Sequence, residues 1–166
     1  MIEEIAQLKT EIDQVLDIPG GVDWHQVPLY ICQLEIILSK IQLLGINDPA
    51  QALATVRYFL ERIPSTFDRV QDKDELGIFC RELAEAACEL VVSAKLPIAE
   101  TANQLLDAWV RDKYGRFTKI PHILAEATLP ENDRAWLIEE VQRRLMTTDG
   151  YQQVTLRQLI EQLKVP

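Results

Sequence analysis

Apolar residues recur three and four apart along nearly the whole chain, the spacing that gathers side chains on one face of a helix. In "MIEEIAQLKTEIDQVL" the stripe is Ile2, Ile5, Leu8, Ile12, Val15 and Leu16, with Glu3, Glu4, Glu11 and Asp13 turned away from it. A second stripe steps through Trp24, Val27, Ile31, Leu34, Leu38 and Ile41, while Leu29, Tyr30, Ile36, Ile37, Leu43 and Leu44 add apolar surface on other sides. A helix apolar around most of its circumference is normally central, so Trp24 to Leu44 is expected to be the most buried long helix. A third segment opens at Asp48-Pro49 and runs through Val56, Leu60 and Ile63 to an expected stop at Pro64. The fourth carries Leu76, Phe79, Leu83, Ala87, Leu90 and Ala94. Its small residues Ala84, Ala86, Ala87 and Cys88 permit close packing. A fifth begins at Pro97, uses Ile98, Ala102, Leu105 and Trp109, and ends at Gly115. Shorter helices follow near 121–128, 131–146 and 155–163.

Capping patterns support these boundaries. Asp48 supplies an N-cap, Pro49 the first helical position and Gln51 the third. Thr155 and Gln158 have capping-box spacing, as do Asp23 and Gln26, although Pro28 moves that second helix start toward Val27. No run reads as a strand, and the loops are short, which makes consecutive helices antiparallel neighbours. The expected fold is one all-α domain over residues 1–166, with seven or eight helices stacked as an α-solenoid-like array. Such a stack has two ends to cover. The acidic N-terminal helix is placed as the cap of one end. The final helix, with Leu156, Leu159, Ile160 and Leu163, docks at the other or pairs with a second copy. Trp136, Leu137 and Ile138 add apolar surface there, giving a monomer or a weak homodimer through the C-terminal third.

Charge narrows the partners. Residues 1–100 hold 17 acids and 8 bases and carry the whole net charge of −9; the remainder is balanced. An acidic first part argues against general nucleic-acid binding, which needs clustered Lys and Arg. It favours basic or amphipathic partners. No apolar run reaches the roughly 20 residues of a membrane span, and the N-terminus has neither signal nor transit character. A cytoplasmic location follows. Three cysteines, Cys32, Cys80 and Cys88, form no CxxC pair, which points to buried reduced thiols and not to a disulfide framework or zinc site.

Candidate chemistry is sparse. His25 and Cys32 share a helix face, but seven residues separate them by about 10.5 Å along the axis. A nucleophile and its base must lie about 3 Å apart. His122 is the other histidine, and no HExxH, Glu-x-x-His, phosphate loop or GxSxG occurs. The sequence therefore implies no catalytic residues, no metal site and no cofactor. One surface segment stands out: "RDKYGRFTK" sets Arg111, Lys113, Arg116 and Lys119 around Tyr114 and Phe117. Basic residues interleaved with aromatics can bind single strands by phosphate contact and stacking. A helix C-terminus with cations at the negative dipole end, closed by Gly115, accounts for the same residues and is favoured.

The succession "IDQVL…VDWHQVPLYICQLEIIL", "ALATVRYFLERI", "DELGIFCRELAEAACEL" and "LLDAWVRDKYGRF" resembles a bacterial helical domain of unknown function, often the region that follows a SWIM-type zinc finger. The resemblance spans roughly residues 9–145 and implies a stack of helix pairs. The chain has no Cys-x-Cys…Cys-x-His element, so the zinc-dependent nucleic-acid role of SWIM modules does not carry over. "NDPAQALATVRYFLERIP" also resembles a helix of tetratricopeptide-type arrays, without a 34-residue period. These readings lead to a non-enzymatic helical-repeat scaffold or adaptor that binds another protein or peptide. The alternative is a small-ligand protein or enzyme with its site assembled between helices. A nucleic-acid accessory role through residues 111–119 ranks third.

Overall fold

The structure, a computed structural model, describes residues 2–17, 24–70, 74–111 and 119–165. Among them there are eight α-helices and no strand: α1 (Ile2–Leu16), α2 (Val27–Asn47, entered through a 3-10 turn at Trp24–Gln26), α3 (Pro49–Val70), α4 (Asp74–Ser93), α5 (Ile98–Arg111), α6 (Ile120–Glu126), α7 (Glu131–Leu145) and α8 (Tyr151–Lys164). From α1 to α5, each helix packs on the next one and on the one after that. Further along, α5 meets α6 and α7, while α8 closes on both α6 and α7. That pattern sorts the odd-numbered helices into one layer and the even-numbered into another. The core runs between the layers, through Ile12, Leu16, Ile37, Ile41, Phe59, Leu60 and Ile63 and on to Leu105, Leu124, Leu137 and Leu156.

Local chemistry accounts for most of the boundaries. The Gln51 N–H donates to the Asp48 carboxylate at 3.3 Å, so Asp48 caps α3 as its spacing predicts. Helix α2 begins at Val27 with Pro28 in its first turn, and its N-cap Gln26 makes no side-chain cap bond. Asp23, the other half of the expected box, lies outside the described residues. Two boundaries differ from the sequence reading. Helix α3 continues through Pro64, because the next turn is anchored tertiarily: the Thr66 hydroxyl sits 3.0 Å from the carbonyl oxygens of Leu16 and of Arg62. Helix α8 starts at Tyr151, not Thr155. Gly150, at φ 68, makes the break in a conformation other residues rarely adopt, and Thr155 falls inside the helix.

The larger correction concerns α2. Its buried row is Leu34, Ile37 and Ile41, flanked by partly buried Tyr30, Ile31, Leu38 and Leu44. The opposite row, however, is open. Leu29 is 59% exposed, Ile36 51%, Leu43 62% and Ile46 76%. Apolar residues on both sides made α2 look central. Its place at the end of the even-numbered layer leaves the second side without a helix to pack on. The central helix is α3, which touches α1, α2, α4 and α5. The stretch Pro28–Asn47 also has the length and mean hydropathy, 1.5, of a membrane span. The sequence reading that no stretch reaches that length is corrected accordingly.

At the other end the final helix is docked. Leu156, Leu159, Ile160 and Leu163 are all buried, and Trp136 and Ile138 are partly buried against the same core. The N-terminal helix buries Leu8, Ile12, Val15 and Leu16 and leaves Glu3 and Glu4 exposed, so it covers the end of the odd-numbered layer and leaves the outer row of α2 open. Helix α1 lies beside α2 and on α3.

Candidate functional site

Of the basic–aromatic segment, Lys113, Tyr114, Arg116 and Phe117 lie outside the described residues, and Arg111 is the last residue of α5. Lys119 is exposed, and its backbone N–H donates to the Glu85 carboxylate at 2.8 Å at the start of α6. Burial pushes the Glu85 carboxyl above its ordinary range, against the lowering effect of that N–H and of the Lys119 charge. This contact ties the segment's end to α4. His25, Cys32 and His122 are exposed on three different elements. Among the described residues no three His, Cys, Asp or Glu side chains converge as metal ligands. Cys88 is buried as expected and its thiol is pushed well up by that burial, whereas Cys32 is exposed.

Two charged networks fasten helices together. Arg62 of α3 reaches Asp13 and Asp17 at the C-terminal end of α1, and the Tyr58 hydroxyl donates to the same Asp13 at 2.6 Å. The Asp13 bond, with burial, raises the Tyr58 hydroxyl above its ordinary pKa. In the second, Arg144 of α7 bonds Glu140 at 2.9 Å and Asp107 of α5 at 2.6 Å. Both networks link helices of the odd-numbered layer, α1 to α3 and α5 to α7.

A cavity of about 570 Å³ lies where the α4–α5 turn meets the α6–α7 turn. Val91, Leu96, Ile98 and Leu129 line it, and the polar groups reaching it belong to Lys95, Thr128 and Asp133. Lys95 has φ 54, a left-handed conformation. Helix termination explains it: the Leu96 N–H bonds the Val91 carbonyl and the Lys95 N–H the Val92 carbonyl, the wrap of a helix C-cap usually served by glycine.

Among the described residues, four of the seven exposed large hydrophobic side chains lie on α2, at the α1/α2 end. Apolar Leu29, Ile36, Leu43 and Ile46 run along the outer side of α2, with exposed Pro28, Cys32 and Ser39 among them and no charge. Beside this row, α1 contributes polar Glu4, Gln7, Glu11 and Gln14. Two grooves mark the seam between the helices. One, of about 400 Å³, has Ile5, Leu8, Leu43 and Leu44 in its walls. The other, of about 240 Å³, has Val15, Ile36 and Ile37. A Lys40–Glu11 bond of 2.6 Å separates them. Contiguous apolar patches larger than a few hundred Å² are uncommon on monomers and mark contact surfaces. The sequence did carry a signal for this one. Leu29, Ile36 and Leu43 repeat at seven, on the side opposite Leu34 and Ile41, which is the pattern of a helix packed on two sides.

No curated protein and no solved structure is significantly similar to the chain. Residues 7–164 match the Family of unknown function (DUF6880). The match takes in most of α1 and all of α2 to α8 and reaches past the 9–145 of the sequence resemblance, so this all-α chain belongs to that family.

Proposed function

We propose that this domain is a non-enzymatic helical scaffold, an adaptor that holds another protein through the α1/α2 end of its stack. One observation carries the reading: a 21-residue helix packs its inner row into the core and leaves a charge-free apolar outer row uncovered. A helix laid along that row gains hydrophobic burial without stranding a charge. The stacked helix pairs support a helical-repeat character. The test is affinity capture from the native cell with the natural chain and with Leu29→Glu/Leu43→Glu, followed by mass spectrometry of proteins and small molecules. Protein partners held by the natural chain and lost with the variant are expected. An unchanged partner set sinks the reading. A second reading, a small-ligand protein, draws on the cavity near Lys95 and Asp133. It predicts a co-purifying small molecule indifferent to the α2 variant and lost on Val91→Trp.

A further inference from the structure

We infer that the occupant of the outer α2 row is a second copy of this chain, paired α2 to α2 in antiparallel about a two-fold axis at Ile36. The inference rests on the reading of the α1/α2 end as a binding face and identifies what binds there. The first support is register. Leu29 and Leu43 lie seven residues to either side of Ile36. An antiparallel pair centred on Ile36 therefore sets Leu29 against Leu43 of the partner subunit, and Ile36 against Ile36 of the partner subunit. The row is complementary to itself, the property an isologous contact requires. Antiparallel helices also oppose their dipoles favourably.

Charge is the second support. A two-fold contact brings each charge near its own copy, so charges in its centre repel. From Pro28 to Ile46 this row has none. The two charges of that stretch, Glu35 and Lys40, flank the row: Lys40, engaged by Glu11, lies beside Ile36 and Leu43 in the two grooves, and Glu35, next to the axis, is the one charge the pairing sets near its own copy. Area is the third. Eighteen residues of helix span about 27 Å, and two such helices packed lengthwise remove on the order of 1,000–1,200 Å² from water, at the lower edge of specific interfaces. Interfaces of that size are characteristically weak or transient, and a micromolar dissociation constant is the outcome set for the test. Position agrees as well. The row faces away from the rest of the even-numbered layer, so α2 of the second copy takes the place where the next helix of that layer would lie. A lipid surface fits less well: interfacial helices carry Lys and Arg beside their apolar face, whereas this row is flanked by the acidic α1 and the chain carries −9.

The test is sedimentation of the full chain from about 1 µM to about 200 µM, a range that brackets the expected dissociation constant. The comparison is Ile36→Glu, with circular dichroism to confirm that the helix content persists. Dimerisation in the micromolar range is expected, weakened about 100-fold or more by Ile36→Glu. It should be strengthened when salt rises from about 50 mM to about 500 mM, because screening relieves the repulsion of two acidic copies. In a Cys32→Ser background, Ile36→Cys should crosslink chain to chain with a short bismaleimide. A chain that stays monomeric throughout overturns the proposal, as does a dimer indifferent to Ile36→Glu. Co-flotation with phosphatidylcholine vesicles that Ile36→Glu abolishes, in a chain otherwise monomeric, overturns it in favour of lipid. A monomer whose captured protein partners still depend on Leu29 and Leu43 sinks the self-pairing and leaves the binding-face reading intact. Row variants without effect on any association sink both.

Discussion

Replacing Arg144 with Met should cost about 2–3 kcal/mol of folding stability at neutral pH. Arg144 keeps only 12% of its side chain exposed and Glu140 10%, and they meet at 2.9 Å as an i,i+4 pair on α7. The same guanidinium reaches Asp107 and the Asn103 carbonyl on α5, so it fastens two helices of one layer. Removing one partner of a buried pair costs about 3–5 kcal/mol, because a desolvated charge is left behind. Here the loss is smaller, since Arg143 also bonds Glu140, with its Nε at 3.0 Å. Arg143 is itself 69% exposed, so Arg143→Ala should cost much less than Arg144→Met. Burial pushes the Glu140 carboxyl up, but the bond from Arg143 and the charges of Arg144 and Arg143 outweigh it, and its folded pKa is lowered. The sign follows. Above the unfolded value of about 4.3 the stabilisation is fully present. As pH falls below that value the unfolded chain takes up the proton first, and the contribution is lost as pH drops through the folded pKa. Urea melts of the natural chain and Arg144→Met at pH 7 and near pH 3 measure the difference; urea leaves the charges unscreened. A gap under about 0.5 kcal/mol at pH 7, or one equally large at both pH values, would refute the argument.

Three further outcomes are expected. Leu34→Ala should cost about 2–4 kcal/mol and Leu38→Ala clearly less, because Leu34 is buried and Leu38 only partly so; equal losses in chemical denaturation would contradict the assigned rotation of α2. Lys95→Gly should raise stability by about 1 kcal/mol by relieving a left-handed lysine, and a lowered midpoint would show that the lysine side chain holds something the backbone strain does not outweigh. At sub-micromolar protein, below the proposed pairing, a thiol reagent should label Cys32 promptly in the native protein and Cys88 only on unfolding, read by peptide mass mapping; rapid native labelling of Cys88 would contradict its burial.

Helix number and type were legible because amphipathic spacing and caps such as Asp48 are local signals. What escaped is tertiary. Pro64 reads as a stop, since the residue that carries the helix past it, Thr66, does so by bonding the carbonyl of Leu16, about fifty positions away. Thr155 and Gln158 have the letters of a capping box, yet Gly150 starts α8 a turn earlier. The outer row of α2 was visible as residues but misread as core, because periodicity reports that a face is apolar and not what lies against it. Of Arg144's partners only Glu140, four residues before it, was within reach of the sequence; Asp107 and Asn103 on α5 are joined to it only by the fold.

The layered order of contacts also has a consequence for how the chain comes apart. Among the described residues the extensive contacts join helices one or two places apart in the order, so they are local, and chains rich in local contacts fold quickly. Losing a terminal helix removes its two helix–helix contacts and leaves those of the middle helices in place. Helix α1 is then the unit whose opening matters most, because it is held to α3 by the Arg62 and Tyr58 bonds to Asp13 and by the Thr66 hydroxyl on Leu16. When those let go, Ile12, Leu16, Ile37 and Ile63 reach water together. Amide hydrogens of α1 should exchange as one cooperative group, well before those of α3, and the opening should proceed inward from the ends, as a zipper does.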